Sequence, residues 1–117
     1  MPNHTLFHNP RCSKSRQALQ ILHDRGLEIN VIEYLKTPLT KTELVSLFEA
    51  LSIDDVYKMI RPKEPEFKQA GLSNTSSTQD VLAAIVAYPK LLERPILLVN
   101  DKAVIGRPPE EVLTLIE

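Results

Sequence analysis

The chain has 117 residues, of which 43% are hydrophobic and 25% are charged, the balance of an ordinary globular domain. Its net charge of −1 at pH 7 argues against an overall positive field that would hold nucleic acid or an anionic membrane. No segment approaches the roughly 18 apolar residues of a membrane span, and no signal peptide is evident. We therefore expect a single cytosolic domain over residues 1–117, in which any anion is bound by a local cluster of cations. The sequence shows no extended apolar surface, so we expect a monomer.

The sequence contains one cysteine, Cys12, which allows no disulfide within the chain. If Cys12 does redox chemistry, the reducing thiol must therefore come from another molecule. The three histidines show no metal-ligand spacing, so we expect no metal site.

The first predicted elements are a strand and a helix that flank the cysteine. Residues 5–8 read as a short strand, which should end at Asn9 because Pro10 disfavours helical backbone in the residue before it. Apolar residues then recur at helical spacing until Gly26, a natural helix stop. Cys12 is thereby predicted to lie between a strand and the first turn of a helix.

The middle of the chain predicts a second strand followed by helices. Residues 27–35 carry apolar groups on both alternating faces, which is typical of a strand covered on both sides. Thr40 and Glu43 form a potential capping box at the start of an amphipathic helix. A shorter helix should follow and end near Arg61, because Pro62 cannot continue it.

The last third predicts a helix, a hairpin and a final helix. Residues 81–86 have helical spacing, and residues 95–99 and 103–105 read as strands joined by a turn. The final helix should start at the prolines 108 and 109. The order β-α-β, a helical insertion, then β-β-α predicts an α/β fold with a thioredoxin-like mixed sheet and helices on both faces.

The surroundings of Cys12 favour a reactive thiol over a small buried hydrophobe, the common alternative for a free cysteine. A thiol at a helix N-terminus meets unpaired N–H groups and the positive end of the helix dipole. Arg11, Lys14, Arg16 and, if protonated, His8 add neighbouring positive charge. Both influences favour the thiolate, which is the nucleophilic form.

Three motifs resemble those of one protein family. Residues 8–16, HNPRCSKSR, resemble the H-N-P-x-C-x-x-S-R signature of the ArsC family, the glutaredoxin-linked arsenate reductases. The segments ERPI at 93–96 and IGRPPE at 105–110 resemble the second and third motifs of that family. The matches fall in the same order and span nearly the whole chain.

The resemblance implies a nucleophile and an oxyanion site. Cys12 matches the catalytic cysteine, and Arg94 and Arg107 match two of three oxyanion-binding arginines; Arg61 is the candidate for the third. Guanidinium groups suit this task because their forked donors match a tetrahedral oxyanion and remain charged.

The resemblance also assigns supporting roles in the same site. His8 and Ser15 match positions that stabilise the thiolate. Pro95 matches the cis-proline that faces the active cysteine in thioredoxin-like folds.

The implied function is reduction of arsenate to arsenite, with glutathione as co-substrate, glutaredoxin as protein partner and no bound cofactor. One alternative is a glutathione-dependent thiol reductase with another substrate. A second is a regulator like the Spx proteins, which share the fold and bind RNA polymerase. Many Spx proteins carry a C-x-x-C switch, which is absent here because Ser15 occupies the second position.

Overall fold

The computed structural model describes residues 4–116 and contains a four-stranded mixed sheet flanked by helices. The strands are β1 (His4–His8), β2 (Asn30–Glu33), β3 (Ile96–Val99) and β4 (Lys102–Ile105). The α-helices are α1 (Ser13–Asp24), α2 (Lys41–Leu51), α3 (Pro65–Gln69) and α4 (Thr78–Ala87). Three 3-10 segments cover Val56–Met59, Pro89–Leu91 and Pro109–Leu115.

The strand order in the sheet is β2-β1-β3-β4, which confirms the predicted thioredoxin-like α/β fold. β1 and β2 run parallel, with His8 opposite Glu33. β3 is antiparallel to both β1 and β4, with Phe7 opposite Ile96. The carboxyl ends of β1 and β2, the start of β3 and the end of β4 therefore meet at one edge of the sheet.

Each face of the sheet carries its own core, because neighbouring side chains on a strand point to opposite faces. Leu6 and Leu97 lie on the face covered by α1 and the C-terminal 3-10 segment, where they pack with Leu22. Phe7 and Ile96 lie on the other face, in the larger cluster to which α2 and α4 contribute. The edge of the sheet where β1 and β2 end is thus supported by packed side chains on both faces.

The predicted caps and turns are present. The Thr40 hydroxyl accepts from the Glu43 N–H at 3.2 Å, and the Glu43 carboxylate accepts from the Thr40 N–H at 2.8 Å. Gly26 has a φ of +73° just beyond α1, the left-handed conformation expected of a glycine helix stop. The hairpin turn places Asn100 at a φ of +58°, which asparagine tolerates better than most residues.

The prediction that the second strand is covered on both sides was wrong. β2 is an edge strand of only four residues, and the Val31 side chain is 37% exposed. The apolar pattern of residues 27–35 comes largely from residues outside the strand. Leu27 and Ile29, before the strand, pack in the core on the face covered by α1, and Tyr34, just after it, is fully buried.

Two predicted α-helices are 3-10 segments. In Pro109–Leu115 the Glu111 N–H donates to the Pro108 carbonyl at 2.9 Å, the i to i−3 pattern of the tighter helix. Val112 is nevertheless buried in the α1-side core, as its apolar spacing indicated. The segment before Arg61 is likewise a single 3-10 turn that ends at Met59, so the predicted helix was too long.

Within residues 4–116, no helix has the length and apolar content needed to cross a bilayer.

Candidate active site

Cys12 lies at the junction of β1 and α1, as predicted. It is the N-cap residue of α1, with an extended backbone. Its N–H donates to the Asn9 carbonyl at 3.0 Å, and its own carbonyl accepts from the Arg16 N–H at 3.0 Å. The Arg16 guanidinium donates to the Pro10 carbonyl at 2.8 Å. These bonds hold the loop between the strand and the helix with Cys12 at its end.

The environment of Cys12 favours the thiolate. Partial burial works to raise the pKa of the Cys12 thiol, but nearby donors and positive charge outweigh it and the pKa is lowered overall. The donors are the backbone N–H groups of Ser15 and Lys14 in the first turn of α1 and the Arg94 side chain, whose charge adds to the effect. The helix N-terminus and an arginine therefore act together on the sulfur.

Arg94 and Arg107 reach Cys12 from the two ends of one hairpin. Arg94 precedes β3 and Arg107 follows β4, so pairing of these strands brings both arginines to the edge where β1 ends. Arg107 Nη2 lies 3.7 Å from Cys12 Sγ, within hydrogen-bonding reach of sulfur. Burial acts to lower the pKa of the Arg94 guanidinium, but its interaction with Cys12 and, more weakly, with Tyr34 raises the pKa overall, so Arg94 lies beside the sulfur.

Arg61 joins the same edge through Glu93. The Ile60–Leu92 bridge aligns their segments, and the Arg61 N–H donates to the Leu91 carbonyl at 2.8 Å. Arg61 Nη1 then donates to Glu93 Oε1 at 2.9 Å. The third arginine of the predicted set is thereby fixed beside Arg94.

Glu93 is a member of the site for which the sequence motif gave no role. Its Oε1 accepts from Arg61 Nη1 and from the Arg94 backbone N–H at 3.1 Å, and it forms an ion pair with Arg107 Nε at 3.1 Å. The Arg107 Nε also donates to the Arg94 carbonyl at 2.9 Å. One carboxylate therefore orients two guanidinium groups, which reduces the conformational entropy they would lose on binding an anion.

His8 and Ser15 form a buried hydrogen-bonded pair that holds the loop of residues 9–12. Both are buried, and His8 Nδ1 lies 2.7 Å from Ser15 Oγ, which also accepts from the Asn9 N–H at 3.1 Å. Burial is the main cause of a lowered His8 pKa, so the ring is uncharged at neutral pH and supplies no positive charge to the thiolate. Ser15 acts on Cys12 through its backbone N–H, while its hydroxyl bonds to His8 and Asn9.

Pro95 packs against the end of β4 next to the arginines. The Arg94–Pro95 bond is cis, the geometry that the family resemblance implies, and the Arg107–Pro108 bond is cis as well. The Gly106 N–H donates to the Pro95 carbonyl at 2.8 Å. A Cβ atom on Gly106 would lie 2.9 Å from Pro95 Cγ and 3.0 Å from Val112 Cγ1, so only glycine permits this approach.

Gly106→Ala is expected to lower the free energy of unfolding by about 1–3 kcal/mol, because the added methyl group overpacks the contact with Pro95. It should also slow alkylation of Cys12, since Pro95 and Arg107 must shift. Urea unfolding and iodoacetamide kinetics measure both effects. Gly26→Ala is the control: it strains a positive φ in open space, so it should reduce stability without changing thiol reactivity. Equal effects of both variants on alkylation would contradict the expectation.

Tyr34 is a second residue of this edge that sequence reasoning treated only as an apolar strand position. It follows β2 directly, and burial raises the pKa of its phenol to about 12 although the charges of Arg94 and Arg61 act to lower it. The signal that could have found it is its place in the sequence, one residue beyond a strand that runs parallel to β1 and ends beside His8.

Among the described residues, His, Cys, Asp and Glu side chains form no group of three or more that could hold a metal ion.

Comparison with known proteins agrees with this arrangement of motifs. The model of the ArsC family matches residues 7–115. The chain belongs to the ArsC family. It is 46% identical over 113 residues to an arsenate reductase of Neisseria meningitidis, covering 96% of this chain and 97% of that protein. It is 33% identical over 117 residues to an arsenate reductase of Escherichia coli K12, covering 99% of this chain and 82% of the relative.

A solved structure shows the same ArsC-family fold. The arsenate reductase from Vibrio cholerae superposes with a TM-score of 0.91 at 40% sequence identity, with 97% of each chain covered.

Proposed function

We propose that this ArsC-family protein is an arsenate reductase that uses Cys12 as its nucleophile and glutathione and glutaredoxin as external reductants. The observation that carries the proposal is the placement of Arg107 Nη2 3.7 Å from Cys12 Sγ, with the charge of Arg94 also acting on the thiol. A thiolate beside two guanidinium groups can attack an anionic centre that would otherwise repel it. The relatives named as arsenate reductases support arsenate as the oxyanion.

The first step is attack of the Cys12 thiolate on arsenic. A sulfur–arsenic bond forms, and one arsenate oxygen takes up protons and leaves as water, so arsenic remains in the pentavalent state. Arg94 and Arg107 stabilise the charge that builds on the oxygens during this exchange. Arg61, oriented by Glu93, adds a third cation on the same edge.

Two thiols supply the reducing electrons. The chain contains one thiol, Cys12, so the second must come from glutathione. Glutathione attacks the cysteine-bound adduct, and arsenic takes the electron pair of the sulfur–arsenic bond as it leaves as arsenite. Cys12 and glutathione are thereby oxidised to a mixed disulfide. A glutaredoxin thiolate then takes over the glutathionyl group and returns Cys12 to its reduced form, a cycle suited to the reducing cytosol.

A coupled assay with glutathione, glutaredoxin, glutathione reductase and NADPH tests the proposal. We expect NADPH oxidation that requires arsenate and this protein together, and that falls to background when glutathione or glutaredoxin is omitted. Intact-mass analysis after treatment with arsenate and glutathione should show an adduct on Cys12. A glutathionylated Cys12 with no arsenate-dependent turnover would instead favour a thiol reductase that acts on another substrate.

A further inference from the structure

Two buried polar groups beside Cys12 lack hydrogen-bond partners. Within residues 4–116, neither the Tyr34 hydroxyl nor the Arg94 Nε makes a hydrogen bond, although both atoms are shielded from solvent. The whole Tyr34 residue is 0% exposed. A buried polar group without a partner costs free energy, so native proteins seldom retain one without a reason.

The strand register explains why these two groups share one edge. β1 and β2 are parallel and end side by side at His8 and Glu33, so Tyr34 follows β2 at the edge where the cysteine loop follows β1. The Tyr34 ring packs in the larger core with Ile60 and Leu92, the two residues whose bridge brings Arg61 to the site. The hydroxyl therefore lies among Arg61, Arg94 and Cys12 and interacts with all three. It adjoins the Arg94 side chain, although no hydrogen bond of acceptable geometry joins the two, so the phenol hydrogen remains available to a ligand.

The chemistry of the two groups is complementary to an oxyanion. A phenol with a pKa near 12 remains protonated at neutral pH, and the arginine Nε carries a hydrogen, so each offers one donor. The oxygens of a tetrahedral oxyanion are acceptors. A bound oxyanion would satisfy two donors that the unliganded protein leaves unpaired.

We propose that the Tyr34 hydroxyl is a substrate-binding group that donates a hydrogen bond to an oxygen of the bound oxyanion, next to the Nε of Arg94. This inference rests on the proposed function and adds a neutral donor to the arginine set. Unlike the arginines, Tyr34 contributes no charge, so it selects for an acceptor oxygen at one position.

A purely structural role for the hydroxyl predicts a different outcome. If the phenol oxygen held the fold together, removing it would lower stability. The hydroxyl adjoins the Arg94 side chain but has no hydrogen bond of acceptable geometry to lose, so Tyr34→Phe should leave the midpoint of urea unfolding unchanged or raise it. For Tyr34→Phe we therefore expect a lower affinity for the oxyanion together with an unchanged or higher stability.

The test measures how well arsenate, without glutathione, protects Cys12 from iodoacetamide in wild type, Tyr34→Phe and Tyr57→Phe. Tyr57 is the matched control because it is only half-buried and packs its ring against Phe67, outside the arginine cluster. In Tyr34→Phe, loss of one hydrogen bond to a charged ligand should raise the half-protecting arsenate concentration about tenfold. The control variant should match wild type. Without arsenate, the pH midpoint of alkylation should be the same in all three proteins.

The outcomes separate this inference from the proposed function. Protection of wild type with equal protection of Tyr34→Phe would overturn the role of Tyr34 and leave the arsenate proposal standing. Weakened protection accompanied by lower stability or a shifted alkylation midpoint would also overturn it, because the residue would then act through the fold. Failure of arsenate to protect wild type would contradict the proposed function itself, and this inference with it.

Discussion

Cys12→Ser is expected to reduce arsenate-dependent turnover by at least about 10³-fold, to the background of the coupled assay. A serine hydroxyl in the same place stays protonated at neutral pH, and it cannot form the disulfide that supplies an electron pair to arsenic. No other cysteine in the chain can take over this step. Steady-state rates at saturating glutathione and glutaredoxin measure the effect.

Ser13→Ala provides the control for this substitution. Ser13 is the exposed first residue of α1 beside Cys12, so its loss should leave turnover near the wild-type rate. The Cys12→Ser protein should also unfold at a urea concentration close to that of wild type, because the sulfur is half-exposed and contributes little to the core. Appreciable turnover in a folded Cys12→Ser protein would contradict the assignment of the nucleophile.

The second large effect is expected for Arg94→Lys, which keeps the charge but removes the forked donors. We expect kcat/KM for arsenate to fall by about 10²–10³-fold, the usual cost of removing one donor that stabilises charge in a transition state. A lysine ammonium cannot contact the Cys12 sulfur and a substrate oxygen with the fixed geometry of a guanidinium. The same change should raise the pKa of the Cys12 thiol, since Arg94 is one of the groups that lower it.

Arg11→Lys is the matched control, because Arg11 is exposed in the loop that precedes Cys12 and the substitution is chemically identical. Its kcat/KM should stay within about twofold of wild type, as expected for a surface charge that is retained. Equal losses in both variants would mean that the reaction responds to local charge alone and would contradict a specific role for the Arg94 guanidinium.

The position of the cysteine could be predicted from sequence because its signals are local. Pro10 ends the strand, the apolar spacing after Cys12 sets the helix, and Gly26 stops it. The arginines 94 and 107 were also recoverable, since each flanks a predicted strand of one hairpin and a hairpin returns its two ends to the same edge. Their assignment came from the family resemblance, and the hairpin explains why the structure brings both to the sulfur.

Other features depended on contacts between distant segments. Glu93 binds Arg61 because the Ile60–Leu92 bridge brings together segments that lie 32 residues apart in the sequence. The residues next to Glu93 in the sequence do not indicate this ion pair. The edge position of β2 was missed because Leu27 and Ile29, which precede the strand, pack in the α1-side core, while Tyr34, which follows it, packs in the larger core. The place of Tyr34 in the site was also missed, because an apolar pattern that includes an aromatic residue at a strand end predicts a core residue.

The central claim is that the surroundings of Cys12 lower the pKa of its thiol, and the pH dependence of its alkylation tests this most directly. Iodoacetamide reacts with the thiolate, so the rate followed by mass spectrometry traces its titration. We expect a midpoint clearly below about 8.5, the pKa of an ordinary free cysteine, and a higher midpoint in Arg94→Lys. A wild-type midpoint at or above that of an ordinary thiol would contradict the claim.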